Sequence, residues 1–197
     1  GPGDVIFRVP RKPWNAHKGV GGRVLVVGGS ELYTGAPALA ALSALYSGAD
    51  LAVVATPESA AYTIASYSPN LIVKKLKGTH LCEEHIGEIV EFAKRFHVVI
   101  IGPGIGLHED TLSTIPKLVE ELVNANMKLV IDADGLKAIA QGQVNLEGNA
   151  ILTPHATELE ILRGSKTPPP TDLEGRGKAA SEVAKKYNAI TLLKGPI

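Results

Sequence analysis

The stretch Arg23-Val-Leu-Val-Val-Gly-Gly-Ser30 decides the fold of this chain. Its apolar residues are valine and leucine in one unbroken run, which stops at two glycines and a serine. A strand that is buried on both faces of a parallel sheet has this composition. Later runs repeat the pattern: His97-Val-Val-Ile-Ile-Gly-Pro-Gly104, Lys128-Leu-Val-Ile-Asp-Ala-Asp134, Ala150-Ile-Leu-Thr-Pro-His155 and Ala189-Ile-Thr-Leu-Leu-Lys-Gly195. Because ligands bind outside the carboxyl ends of parallel strands, these strand ends predict one functional rim.

Segments with helical character separate the predicted strands. An Ala- and Leu-rich helix is expected over residues 35–47, and amphipathic helices over 83–96 and 109–124. Shorter helices are expected at 135–140 and 157–162, and a last one at 173–187. Two more strands are predicted at 50–56 and 71–76, the second near a sheet edge because it carries two lysines. The alternation predicts an α/β fold, a three-layer α/β/α sandwich around a mostly parallel sheet.

The composition argues against several classes of function. The chain has 197 residues, with 20 Lys plus Arg against 20 Asp plus Glu, so its net charge gives no support to nucleic-acid or membrane-surface binding. No apolar run approaches the roughly 20 residues of a membrane span. Cys82 is the only cysteine, which excludes an internal disulfide and suits a reducing compartment. We therefore expect a cytoplasmic protein with no nucleic-acid or membrane partner.

The two ends of the sequence differ from the middle. Residues 1–20 contain Pro2, Pro10 and Pro13, which predict an irregular arm or an interdomain linker. Residues 21–197 are expected to form the single globular domain. Because Ile197 follows a buried-type strand almost at once, we expect this domain to be C-terminally incomplete and the natural chain to continue.

Glycine-rich turns follow two of the predicted strands. The P-loop pattern is absent, and Leu107 interrupts G-x-G-x-x-G after Gly102-Pro-Gly-Ile-Gly106, which disfavours a Rossmann dehydrogenase. The turn at 102–106 still aims N–H groups at an anion, although it also suits a tight strand–helix connection. At 28–29, close packing and ligand contact both remain open. Gly35 and Ala36 open a helix and are expected to allow close approach by a planar ligand.

Charged and polar groups follow the remaining strands. Of Asp132 and Asp134, one is expected to cap the next helix and the other to serve the site, by holding Mg²⁺ indirectly or binding a ligand hydroxyl. His155 lies at a strand end and is either structural or functional. Lys194, with Gly195, either neutralises a phosphate or is a solvated lysine.

The following segment and the other histidines are interpreted structurally. Thr157 is the expected N-cap of the helix after His155, with Glu160 three residues later. Five histidines show no metal-ligand spacing with one another or with the cysteine, so no metal site is predicted; they are His17, His80, His85, His97 and His108.

Taken together, these motifs resemble the NAD(P)H-hydrate dehydratase family, a branch of the ribokinase-like superfamily. The ordered set covers the chain from about residue 15 to 197. It comprises His17-Lys-Gly19, Gly28-Gly-Ser30, Tyr33-Thr-Gly-Ala-Pro-Ala-Leu-Ala-Ala41, Ser47-Gly-Ala-Asp50, Gly102-Pro-Gly-Ile-Gly106, Asp132-Ala-Asp-Gly-Leu136, Leu152-Thr-Pro-His155 with Glu158, and Leu193-Lys-Gly195.

The resemblance implies a metabolite-repair enzyme. It would dehydrate the hydrated nicotinamide ring of NADHX or NADPHX to restore NADH or NADPH, with ADP or ATP as co-substrate and Mg²⁺ as the accompanying cation. It implies that the hydrated dinucleotide contacts Ala36, the Gly102–Gly106 loop and His155. Because all follow predicted parallel strands, we expect Ala36, Gly104, Gly106 and His155 to line one cleft, with Asp134 near its rim. Lys194 and Gly195 would begin the site for the nucleotide phosphates.

The family's catalytic element is a later Gly-Thr-Gly-Asp turn, whose Asp is the proposed base, and the sequence to Ile197 contains no such turn. The catalytic Asp is therefore expected beyond Ile197, and the arm resembles the join to a fused N-terminal epimerase domain. A homo-oligomer is compatible with the sequence. Two alternatives remain: a hydroxyethylthiazole-like small-molecule kinase of the same superfamily, and a non-catalytic nucleotide-binding module.

Overall fold

A computed structural model describes residues 13–15, 20–165, 167 and 170–195. The strands in these ranges are β1 (Arg23–Val27), β2 (Leu51–Pro57), β3 (Ile72–Leu76), β4 (Val98–Ile101), β5 (Lys128–Ile131), β6 (Ala150–Leu152) and β7 (Ile190–Thr191). The helices are α1 (Gly35–Tyr46), α2 (Glu58–Ser66), α3 (Ile86–Ala93), α4 (Glu109–Asn124), α5 (Asp134–Ile139), α6 (Ala156–Arg163) and α7 (Leu173–Tyr187). A 3₁₀ helix, Glu83–His85, precedes α3. The expected arm, with His17, lies outside the described residues except for 13–15 and 20.

The sheet is parallel throughout its described strands, in the order β3-β2-β1-β4-β5-β6-β7. The chain runs outward from β1 to β3 at one edge, returns to place β4 on the free side of β1, and then runs outward to β7. Strand β3 is an edge strand, as its lysines predict. The direction of winding reverses between β1 and β4, and such a switch point opens a crevice at the carboxyl ends of the strands.

Helices cover both faces of the sheet. Leu25 and Val27 point into a core formed with α3 to α7, whereas Val26 points into a separate core formed with α1 and α2. Successive residues of a strand face opposite sides, so this division establishes two helical layers around the sheet. The predicted three-layer α/β/α sandwich is therefore confirmed. Among the helices in the described ranges, none has the length and apolar character needed to cross a bilayer.

Three local predictions differ from the structure. Helix α2 was not predicted, because its sequence is rich in Ala, Ser and Thr and lacks a strong apolar stripe. The helix expected over 83–96 begins as the 3₁₀ turn Glu83–His85 and ends at Ala93. The predicted N-cap Thr157 is wrong: His155 caps α6, and its partner three residues later is Glu158 rather than Glu160.

Candidate functional site

The loops after β1 and β4 meet at the switch point. The backbone N–H of Gly29 donates to the carbonyl of Pro103 (3.0 Å). A Cβ atom on Gly28 would lie 2.4 Å from that same carbonyl oxygen, and one on Gly104 would lie 2.6 Å from the carbonyl oxygen of Tyr33. Contacts this short are not tolerated, so Gly28 and Gly104 are required for the two backbones to pack together.

The loop after β4 is equally close to the loop after β5. A Cβ atom on Gly102, whose φ is +115°, would lie 2.0 Å from the carbonyl oxygen of Asp132 and 2.6 Å from the backbone nitrogen of Gly135. Gly106 has φ +81° and is partly exposed. A Cβ atom on Gly106 would make only ordinary contact with Ser30, whose Oγ would lie 3.4 Å away. Gly102 therefore serves packing between loops, while Gly106 keeps a surface open to solvent.

Helix α1 begins at the rim with its amino end accessible. Thr34 precedes the helix without a side-chain capping bond, because its hydroxyl hydrogen-bonds the Tyr67 hydroxyl (2.6 Å). Nothing lies within 4 Å of a Cβ on Gly35, and Ala36 is exposed. The first turn has no acidic residue. An uncapped helix start with a positive dipole end attracts anions and leaves space for a ligand above Ala36.

The two aspartates after β5 each pair with a lysine. Asp132 Oδ1 accepts a hydrogen bond from Lys194 Nζ (2.7 Å), which joins the ends of β5 and β7. Asp134 Oδ1 accepts from Lys137 Nζ (2.7 Å), one turn along α5. Neither carboxylate caps α5, so the expectation that one of them would do so is wrong. Ala133 between them has φ +52°, a strained backbone of the kind found at functional sites.

The ammonium group of Lys137 interacts electrostatically with groups from α5, α6 and the loop after β1. The hydrogen bond from Lys137 to Asp134 raises the pKa of the ammonium group above its ordinary value, against the lowering effect of burial. The charges of Asp134, Glu158 and Tyr33 raise that pKa further. Lys137 therefore stays protonated at neutral pH between groups from α5, α6 and the loop after β1. Sequence reasoning missed Lys137, since a lysine three residues after an aspartate is common on helix surfaces.

His155 lies exposed at the start of α6 with a defined tautomer. Its Nδ1 accepts hydrogen bonds from the backbone N–H groups of Thr157 (3.1 Å) and Glu158 (3.3 Å). Because Nδ1 acts as acceptor, the ring proton is assigned to Nε2, which lies 3.4 Å from Glu158 Oε1. The other carboxylate oxygen of Glu158 accepts from the His155 backbone N–H (2.8 Å). Buried Glu158 thus orients an exposed histidine, since its two carboxylate oxygens lie close to the backbone N–H and to Nε2 of His155.

Lys194 and Gly195 follow β7 at the far side of the rim. The Lys194 backbone N–H donates to the Pro154 carbonyl (2.8 Å), which ties this segment to the residue before His155. Arg176 donates to the Lys194 carbonyl (3.2 Å), and its Nη2 would lie 2.7 Å from a Cβ on Gly195, whose φ is +143°. Arg176 adds a second positive charge that sequence reasoning missed, because nothing in the α7 sequence marks it.

The predicted residues fall into two groups at the carboxyl ends of the strands. Gly104 and Gly106 lie in the loop after β4, Ala36 lies in the first turn of α1, and Asp134 opens α5. His155 and Lys194 are joined through the Pro154 carbonyl on the β6–β7 side. Paired lysines and an arginine beside polar donors give an edge suited to a phosphorylated ligand with a polar ring.

Sequence comparisons place this chain among known proteins. Residues 24–197 match the family model of NAD(P)H-hydrate dehydratase. The chain is 39% identical to a bifunctional NAD(P)H-hydrate repair enzyme of Hyperthermus butylicus, over 100% of this chain and 37% of that protein. It is 38% identical to an ATP-dependent (S)-NAD(P)H-hydrate dehydratase of Ciona intestinalis, over 94% of this chain and 52% of that protein. The chain therefore spans between about a third and a half of these relatives' length.

Solved structures share the architecture. An ADP/ATP-dependent NAD(P)H-hydrate dehydratase of Bacillus subtilis, co-crystallized with ATP and Mg²⁺, superposes with a TM-score of 0.76 at 24% identity, over 99% of this chain and 65% of that chain. A ribokinase-like superfamily protein of Enterococcus faecalis superposes with a TM-score of 0.74 at 22% identity, over 94% of this chain and 61% of that chain. At these identities the likeness establishes the fold, and the predicted ribokinase-like architecture is confirmed.

Proposed function

This chain belongs to the NAD(P)H-hydrate dehydratase family, and we propose that it serves the ADP- or ATP-dependent dehydration of NADHX and NADPHX. The observation that carries the proposal is the family match over residues 24–197, which takes in the sheet from the second residue of β1 onward. The products are NADH and NADPH, so the reaction repairs a damaged cofactor and the enzyme is a lyase.

The chemistry requires a better leaving group than hydroxide. Transfer of the terminal phosphoryl group from the nucleotide to the ring hydroxyl oxygen breaks the terminal phosphoanhydride bond and forms a phosphate ester. ADP as donor leaves as AMP, ATP as donor leaves as ADP, and the hydroxyl proton is released. Cleavage of the ring C–O bond then releases phosphate, and loss of a ring proton restores the double bond of the dihydronicotinamide. Enzymes accelerate phosphoryl transfer chiefly by positioning the reactants and stabilising charge. A rim that holds two phosphorylated ligands side by side meets the first requirement.

We assign the hydrated dinucleotide to the switch-point side of the rim. The accessible start of α1 offers space above Ala36. The turn after β4 presents backbone at partly exposed Gly106, whereas Gly104 is buried against Tyr33 and shapes the turn from behind. His155 offers its Nε2–H as a donor to a ring carboxamide or hydroxyl, with Glu158 fixing its orientation. Asp134, held by Lys137, lies at the border of this region.

The nucleotide phosphates are assigned to the β7 side. Lys194 supplies a positive charge, and Gly195 lies beside Arg176, which supplies another. Asp132 holds the lysine ammonium at the rim through a half-exposed pair, from which a phosphate is able to displace it. A di- or triphosphate would therefore bind beside two cationic side chains, Lys194 and Arg176, and the backbone of Gly195.

Asp132 and Asp134 do not offer Mg²⁺ an unoccupied carboxylate. Mg²⁺ binds through one or two carboxylates together with substrate phosphates. Asp132 and Asp134 are each occupied by a lysine. Mg²⁺ therefore enters the proposal as the counter-ion of the nucleotide phosphates, and no step is assigned to it.

No residue of this chain is assigned as the catalytic base. The Gly-Thr-Gly-Asp sequence that the family resemblance calls for does not occur among residues 1–197. Loss of a positioned base costs on the order of 10²–10⁴ in rate. We therefore propose that the 197-residue chain binds its ligands without measurable turnover, and that the Asp lies beyond Ile197. The bifunctional name of the Hyperthermus relative supports a fused epimerase domain in the parent protein, and the single cysteine supports a cytoplasmic location.

Calorimetric titration with NADPHX, ADP and hydroxyethylthiazole tests the assignment. We expect binding of NADPHX, weak binding of ADP and none of the thiazole alcohol, with no ADP-dependent recovery of NADPH absorbance. Ala36→Leu should weaken NADPHX binding at least about tenfold by filling the space above α1. Ala65→Leu is the matched control, because Ala65 is also exposed but lies near the far end of α2.

Two results would contradict the proposal. Tight binding of the thiazole alcohol without NADPHX binding would identify a small-molecule kinase. Normal NADPHX affinity in both Ala36→Leu and His155→Ala would show that the pocket lies elsewhere. Robust NADPH recovery by the 197-residue chain would instead place a base among its own residues, and Asp132 and Asp134 would be tested first.

A further inference from the structure

Two histidines and an aspartate converge beside the loop that follows β4. His80 lies after β3, whereas His108 and Asp110 lie at the start of α4. His80 Nε2 is 3.0 Å from Asp110 Oδ2, and His108 Nδ1 is 3.7 Å from the same oxygen. One possible ligand atom from each of the three side chains lies within 4.8 Å of the others. The sequence concealed this cluster, because the two histidines are brought together only by the crossover from β3 to β4.

The separations fit a small transition-metal ion. Zinc binds imidazole nitrogen and carboxylate oxygen at about 2.0–2.2 Å, so its tetrahedral ligands lie roughly 3.3 Å apart. The distances of 3.0 Å and 3.7 Å to the Asp110 oxygen fall on either side of that value. Two imidazoles with one carboxylate favour zinc or a neighbouring transition metal over Mg²⁺ or Ca²⁺, which prefer all-oxygen ligands.

The second nitrogen of His80 already has a partner. His80 Nδ1 is 3.2 Å from Thr79 Oγ1, and the Thr79 carbonyl accepts a hydrogen bond from Ser59 Oγ (3.0 Å). Hydrogen bonds of this kind fix the orientation of a ligating histidine and leave Nε2 directed at the metal. The loop after β3 is in this way anchored to the start of α2.

Metal binding requires one ring to turn. The His80 and His108 rings are stacked, with centroids 3.7 Å apart and planes inclined by 17°. An imidazole binds a metal in its own plane, so one ring must rotate out of the stack. The His108 side chain is 52% exposed, so it is the ring that turns. Its Nδ1 then gives up the hydrogen bond that it accepts from the Asp110 backbone N–H (3.3 Å) at the start of α4.

We propose that His80, His108 and Asp110 form a zinc-type metal site, with solvent completing the coordination. Because His108 lies two residues after Gly106, a bound ion would tether the Gly102–Gly106 turn to the loop after β3. The three ligands are not among the residues assigned to the hydrated dinucleotide or to the nucleotide phosphates, and the proposal does not depend on the chain's enzymatic activity.

Binding of Co²⁺ to the tag-free, metal-stripped chain tests the proposal, since its visible absorption reports nitrogen and oxygen coordination. We expect binding with Kd below about 0.1 mM and displacement of the cobalt by zinc. His80→Gln, His108→Gln and Asp110→Asn should each weaken binding at least about tenfold. Glu109→Gln removes one negative charge from the same helix turn and is the matched control, with an expected change below about threefold.

A second site must be separated from this one. Cys82 Sγ lies 3.5 Å from His85 Nδ1, and a thiolate with an imidazole also binds zinc. Cys82→Ser should therefore leave the cobalt affinity unchanged. Loss of binding in Cys82→Ser, unchanged binding in the three ligand variants, or a Kd above about 1 mM for the unaltered chain would each overturn the proposal.

Discussion

Replacement of Gly28 by alanine tests whether the loops after β1 and β4 interlock. The φ of Gly28 is compatible with alanine, so the cost is purely steric. The new Cβ would lie 2.4 Å from the Pro103 carbonyl oxygen, so the loop must retreat by close to an ångström to reach normal contact. Overpacking of this size costs about 1–3 kcal/mol. The hydrogen bond from Gly29 to Pro103 lengthens with the retreat, at a cost of about 1 kcal/mol.

One effect of Gly28→Ala opposes this loss of stability. Alanine reduces the conformational entropy of the unfolded chain, which returns about 0.4–1 kcal/mol. We therefore expect Gly28→Ala to lower the free energy of unfolding by about 1–3.5 kcal/mol. For a chain of this size, that corresponds to a fall in Tm of roughly 2–14 °C.

Urea unfolding followed by far-ultraviolet circular dichroism measures the change, with Gly35→Ala as the matched control. Gly35 opens α1, and nothing lies within 4 Å of an added Cβ, so its replacement should change the free energy of unfolding by less than about 0.5 kcal/mol. If Gly28→Ala were as stable as Gly35→Ala, the two loops would not be packed as described. Gly28 would then be free to approach a ligand.

Two other predictions concern charged and ionisable groups. A double-mutant cycle of Asp132→Asn and Lys194→Met should give a coupling free energy of at most about 1 kcal/mol, because both side chains are partly exposed. The coupling should shrink in 0.5 M salt, where the Debye length is about 4 Å. A coupling above about 2 kcal/mol would mean that Lys194 is not available to a phosphate. Burial raises the pKa of the Tyr187 hydroxyl, which donates a hydrogen bond to the Leu162 carbonyl (3.3 Å). As the pH rises, the unfolded chain therefore loses this proton before the folded chain does. The free energy of unfolding should fall as the pH rises above about 10. Urea titrations at several pH values should show a smaller fall in Tyr187→Phe, and an equal fall in both proteins would contradict the assignment.

The sheet was predictable from sequence because its strands are unambiguous. Runs such as Val24–Val27 and Val98–Ile101 are continuous, short and rich in β-branched residues, which is the composition of a strand buried on both faces. Their glycine-rich ends then located the rim, because parallel strands end at one edge. The sequence could not predict which group approaches each glycine. The pattern around Gly104 predicts contact with a ligand, yet the Tyr33 backbone occupies the space that a side chain on Gly104 would fill.

Side-chain partners were less accessible to sequence reasoning. His155 caps α6 although histidine is an uncommon N-cap, so the more usual capping residue Thr157 was preferred. The spacing from His155 to Glu158 was the available signal for their mutual hydrogen bonds. The approach of His80 to His108 carried no such signal, because it depends on the order of strands in the sheet. Local patterns predict elements, and contacts between loops follow only from topology.

The strand order also has a kinetic consequence. The hydrogen bond from Arg23 to His97, next to the β1–β4 pair, joins residues 74 positions apart. Closing a loop of that length costs close to 4 kcal/mol of chain entropy, whereas β1–β2–β3 and β4–β5–β6 each assemble from neighbours in sequence. The two halves are therefore expected to gain structure separately and to join late, at the seam where the ligand rim lies. A nascent chain would thus expose this rim, with its unpaired β1 and β4 edges, until the last stage of folding.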